Sequence, residues 1–118
     1  MTNTFFGVAI DCVDAGALAT FWAEVLGRQV ADDPTREHAV VLVDDAVAHG
    51  PRLAFHQVPE TKTVKNRLHI DLITTEFDVE TERLLGLGAR KVRDLEQSGA
   101  RWTTFRDIEG NEFDLIAG

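Results

Sequence analysis

Apolar and polar positions alternate along this chain, fall into helical spacing, and alternate again, and the chain runs through that order twice. From Phe5 to Cys12, Phe6, Val8, Ile10 and Cys12 alternate with Phe5, Gly7, Ala9 and Asp11. That period of two predicts a strand with one apolar face and one face of mostly small side chains ending in a carboxylate. Leu18, Phe21, Trp22, Val25 and Leu26 then stand at i, i+3, i+4, i+7 and i+8, the apolar stripe of a helix that Asp14 caps and Gly27 closes. Trp22 lies on that stripe, so it is expected in the core and not as a ligand platform. Three short strands follow, at about 29–31, 39–43 and 52–58. Asp32, Asp33 and Pro34 mark one turn between them, and Asp44 and Asp45 followed by His49, Gly50 and Pro51 mark the other. In the last strand Leu53 and Phe55 share one face while Arg52, Ala54 and His56 share the other.

The linker of residues 59–66 separates this half from one of the same pattern. A strand from Arg67 to Thr74 puts Leu68, Ile70 and Leu72 on its apolar face and Arg67, His69 and Asp71 on its polar face. A polar face of that kind needs water or a polar cavity. A helix from about Asp78 to Leu87 is predicted next, with Asp78 as its cap, Val79, Leu84 and Leu87 inward, and Gly88 at its end. Strands at about 91–95, 101–106 and 112–116 complete the half. Asp107 to Asn111 reads as a tight turn, after which Phe113 and Leu115 face the core and Glu112 and Asp114 face the other way. The expectation is therefore one α+β domain over residues 1–118: a βαβββ module at about 1–58, the linker, and a second at about 67–118. Two such modules create a groove at their junction.

A length of 118 residues suits a single core. Twenty acidic residues against 12 basic ones give a net charge of −8, which argues against nucleic acid and favours neutral or cationic small guests. The single Cys12 excludes an internal disulfide and a zinc–thiolate cluster. The first residues show no basic region followed by an apolar signal core, so a cytoplasmic protein is expected. No apolar run approaches the roughly 18 residues that cross a bilayer, so no membrane role is expected.

Four signals in this order resemble one family: the doubled βαβββ pattern, Phe21 to Gly27 (F-W-A-E-V-L-G), Leu68 to Leu72 (L-H-I-D-L), and Asp107 to Asp114 (D-I-E-G-N-E-F-D). Together they resemble the vicinal oxygen chelate superfamily of glyoxalase I, extradiol dioxygenases, fosfomycin resistance enzymes and bleomycin resistance proteins, and more narrowly its glyoxalase-like subgroup. The resemblance implies curved mixed sheets forming a shared cup, helices outside, and metal ligands from the first and last strands of each module. His69 falls at the histidine position of the second module, and Asp114 falls where the family usually has Glu. The first module departs: Gly7 stands where a histidine or glutamine is expected, and strand 52–58 offers only Ala54 or His56. The candidate metal residues are thus His69, Asp114 and His56, for a divalent Zn, Ni, Fe, Mn or Mg ion. Asp71 and Asp11 are the candidate proton-transfer carboxylates, and Trp102, Phe105 and Arg67 the candidate ligand contacts. Two functions stay open, a metal-dependent lyase, isomerase or related enzyme acting on a substrate with adjacent oxygens, and a non-catalytic protein that sequesters a drug or metabolite. The resemblance further implies a homodimer, with modules paired within one chain or exchanged between two.

Overall fold

The computed structural model describes residues 2–43 and 50–118. The expected turn through Asp44, Asp45 and His49 lies outside the described residues. The chain forms two compact units, Met1–Thr61 and Lys62–Gly118, each a mixed sheet with one helix.

In the first unit, strand β1 (Gly7–Cys12), helix α1 (Ala15–Leu26), strand β2 (His38–Val41) and strand β3 (Arg52–Gln57) follow in order. The sheet order is β1-β3-β2, with β1 parallel and β2 antiparallel to β3. Asp14 caps α1 as expected, its carboxylate accepting from the Ala17 N–H at 3.1 Å. Gly27 ends the helix at φ 64°, a left-handed conformation glycine adopts without steric cost. The stripe of Leu18, Phe21, Trp22 and Val25 is buried, and α1 packs on β2 and β3, whose Ala39, Val41, Leu53 and Phe55 are also buried. Trp22 is a core residue, in edge contact with Phe21. Two expectations change. The first strand begins two residues late, leaving Phe5 and Phe6 exposed, and the strand expected at 29–31 is an isolated bridge between Val30 and Val41. Asp33, at φ 60°, and Pro34, which lacks an N–H, turn the chain away before a longer ladder can form.

The second unit runs β4 (Ile70–Thr74), α2 (Phe77–Gly86), β5 (Arg90–Gln97), β6 (Ala100–Arg106) and β7 (Glu112–Ala117). Its sheet order is β4-β7-β6-β5, with β4 parallel to β7 and the other pairs antiparallel. The hairpin between β5 and β6 is longer than expected, because Ser98 at φ 52° and Gly99 at φ 84° make a two-residue turn whose twist matches the strands. Leu84, Phe105, Phe113 and Leu115 form the core, with the Phe105 and Phe113 rings stacked at 5.5 Å.

Three expectations for this unit are corrected. Strand β4 starts at Ile70, so Arg67 and Leu68 lie in a bend and Leu68 is 83% exposed. Helix α2 starts at Phe77 with Glu76 at its cap position and no capping side chain, which places Asp78 inside the first turn. There its charge favours the helix dipole and meets Arg101 at 3.5 Å. Only Leu84 of α2 is buried and Val79 is 62% exposed, so the inward stripe is narrower than its spacing implied.

Candidate metal centre

The polar face of the second sheet is assembled by register. Asp71 of β4 pairs with Asp114 of β7, Asp114 with Thr104 of β6, and Thr104 with Arg93 of β5. Directly opposed residues share a face, so these four side chains form one row across all four strands. The row is fixed at its centre by the turn before β7. Buried Asp107 accepts hydrogen bonds from the Glu109 and Asn111 N–H groups at 2.9 and 3.0 Å and from the Asn111 side-chain amide. Gly110 closes that turn at φ 87°. One residue of slippage there would move Asp114 to the core face.

The other anchor is Glu112. Its carboxylate accepts from Lys62 Nζ at 3.1 Å and the Asn66 N–H at 3.2 Å, and its carbonyl accepts from the Asn66 side chain at 3.1 Å. Burial pushes the Glu112 carboxyl upward. Hydrogen bonds from its own backbone, Lys62 and Asn66, together with the Lys62 charge, outweigh that and hold it below the usual carboxylate value. This clasp ties residues 62–66 to β7 and delivers His69 to the top of β4.

His69 Nδ1 lies 2.7 Å from Asp71 Oδ1 and 3.9 Å from Asp114 Oδ2. The Thr104 hydroxyl donates to Asp114 Oδ1 at 2.7 Å, leaving Oδ2 turned to the histidine. One donor atom from each of His69, Asp71 and Asp114 lies within 4.8 Å of the others. Asp114 is the most enclosed of the three, at 18% side-chain exposure against 41% for His69 and 51% for Asp71. A nitrogen and two carboxylates converging from one sheet, with an open side, can bind a divalent transition ion and leave positions for a ligand.

The structure sorts the remaining candidates. Gly7 is more than a missing ligand: a Cβ there would come within 2.6 Å of Arg52 Cγ and 2.8 Å of the Arg52 carbonyl oxygen. Arg52 fills that side and holds its guanidinium 4.5 Å from the Phe6 ring centroid. His56 and Asp11 are in register with each other on the first sheet, and the His56 ring lies 4.9 Å from that of His38. Trp102 is half-buried on β6 with the parity of Thr104, so it shares the polar face. Phe105 has the opposite parity and is fully buried, which corrects its reading as a ligand wall: residues three apart on a strand cannot share a face. Arg67 is exposed in the bend before β4. Sequence reasoning missed Thr104, although the alternation Trp102, Thr104, Arg106 was a signal that could have found it.

A family model described as Glyoxalase-like domain matches residues 7–116. Three solved structures show the breadth of the fold. A hypothetical protein from S. aureus matches with TM-score 0.75 at 15% identity, covering 100% of this chain and 95% of its own. A mutant of the fosfomycin resistance protein FosX from Listeria monocytogenes, complexed with Mn(II) and 1S,2S-dihydroxypropylphosphonic acid, matches with TM-score 0.78 at 17% identity, covering 100% and 92%. The oxidase ChaP-H2 matches with TM-score 0.71 at 19% identity, covering 100% and 95%. Comparison with curated proteins found no match. Among the described residues no helix is long and apolar enough to cross a membrane. With the family model spanning nearly the whole chain and the fold shared end to end, the chain belongs to the glyoxalase-like domain family of the vicinal oxygen chelate superfamily.

Proposed function

We propose that this protein is a divalent-metal-dependent, glyoxalase-like enzyme, a lyase, isomerase or related catalyst acting on a small molecule with two adjacent oxygens. The observation that carries this reading is the convergence of His69, Asp71 and Asp114 donors within 4.8 Å. Those three residues would hold the ion, and the mixed nitrogen and oxygen set suits Mn, Fe, Ni or Zn better than Mg. When bound, such an ion polarises substrate oxygens and stabilises the oxyanion or enolate that develops. Thr104 orients Asp114 through its hydroxyl, and the Asp71 contact orients the His69 ring. That a FosX structure holds Mn(II) makes this ion the first to try.

Calorimetric titration of Mn(II) into the wild type, His69→Ala and Asp114→Ala tests the reading. Saturable heat in the wild type and its loss in both variants are expected; heat that survives in both removes the site. The competing reading, a sequestering protein without chemistry, is supported by half-buried Trp102 on the same face. It requires ligand affinity that falls in Trp102→Ala and holds in His69→Ala. A homodimer belongs to either reading, and light scattering that returns a single chain of 13.1 kDa at high concentration would remove it.

A further inference from the structure

The second unit contains a cavity of about 510 Å³ whose lining includes Lys62, Lys65, Arg93, Thr104, Arg106 and Glu112. Four cations there face one carboxylate, in a chain whose net charge is −8. Lys62 is engaged by Glu112 and by the Val64 carbonyl. The side chains of Lys65, Arg93 and Arg106 have no ion pair or hydrogen bond with any described residue. Register brings the arginines together: Arg93 opposes Thr104 across β5 and β6, and Arg106 stands two residues from Thr104 on the same face. Uncompensated like charges around a concave surface repel one another, and an anion that joins them relieves that repulsion. A monocarboxylate would occupy one guanidinium fork. A phosphate group, with close to two negative charges and three acceptor oxygens, matches three unpaired cations.

We propose that this cavity binds the phosphate-type oxyanion of a small organic molecule. Thr104 lines the cavity and also donates to Asp114, so the cavity borders the His69 cluster through that one side chain. The ligand is then a short molecule with an oxyanion at one end and adjacent oxygens at the other. Its orientation rests on the metal-site reading; the cavity itself does not.

The test is inorganic phosphate titrated into the full chain in EDTA at constant ionic strength, followed by amide chemical shifts. Saturable shifts at Val92, Thr104 and Gly110, which all line the cavity, are expected. The double variant Arg93→Gln/Arg106→Gln should bind about tenfold more weakly or worse, and Lys65→Gln several-fold, while Arg83→Gln on α2 should match the wild type. Shifts that are absent, that do not saturate, that persist in the double variant, or that need Mn(II) would overturn the proposal. Glycerol 3-phosphate should bind more tightly than inorganic phosphate; equal affinity would overturn the organic ligand in favour of the free ion. Because phosphate is measured without metal and Mn(II) without phosphate, failure of one reading is distinguishable from failure of the other.

Discussion

Replacing Gly7 by His would seem to restore the metal ligand that the first module lacks. The structure predicts the reverse, and Gly7→Ala isolates the reason. Removing glycine from a strand normally stabilises it by about 0.5–1 kcal/mol, because the unfolded chain loses freedom. Here the new Cβ would sit 2.6 Å from Arg52 Cγ and 2.8 Å from the Arg52 carbonyl oxygen. The side-chain contact is relieved by moving Arg52, which gives up its stacking on Phe6, worth about 0.5–1 kcal/mol at an exposed site. The carbonyl contact is not relieved so cheaply, since that oxygen belongs to the backbone of β3, in register with Gly7. Overpacking of this kind costs about 1–3 kcal/mol. The penalties exceed the gain, and a net loss of about 1–2 kcal/mol follows for Ala, with more for His. Urea unfolding of the wild type, Gly7→Ala and Gly7→His measures it, and Mn(II) affinity should not rise in Gly7→His. A Gly7→Ala variant as stable as the wild type or more so would refute the steric argument.

Asp107→Ala should destabilise by about 2–4 kcal/mol, because the Glu109 and Asn111 N–H groups lose their acceptor, and thermal unfolding should fall accordingly. Thr104→Val keeps the shape of the side chain but frees Asp114, and calorimetry should show Mn(II) bound about tenfold more weakly with little change in unfolding temperature. The Glu112 clasp gives a pH dependence of defined sign. Its carboxyl is lower in the folded state than in the unfolded one, so its contribution is present above the unfolded value and lost as pH falls through the folded one. The stability gap between wild type and Glu112→Gln should therefore be full at pH 6–7 and shrink below about pH 4; a gap that grows on acidification would contradict the assignment.

Local pattern carried much of the fold. The α1 stripe, its Asp14 cap, the Gly27 exit and the Asp107 turn are set by neighbours within a few residues, so the spacing of apolar and capping residues is enough to read them. Family position pointed to His69 and Asp114, and the structure brings their side chains near each other, with His69 just before β4. What failed depended on tertiary partners. Leu68 looked like strand because it alternates, yet the Glu112 clasp holds Asn66 and the strand begins later. Val79 sits at helical spacing but the sheet offers α2 room to bury only Leu84. Phe105 was grouped with Trp102 by aromatic type when parity separates them. Net charge, which favours neutral or cationic guests, says nothing of where basic side chains meet, and Lys65, Arg93 and Arg106 line one cavity. An average over the chain cannot show where its minority charges meet.

In the proposed function a divalent ion is held at His69, Asp71 and Asp114 of the second unit. Substoichiometric Mn(II) added to isotopically labelled protein locates the ion directly, since its unpaired electrons broaden nearby amide signals. Broadening centred on residues 69–71, Thr104 and Asp114, and abolished by His69→Ala, is expected. Broadening centred on His38 and His56, or spread evenly over the acidic surface, would contradict it.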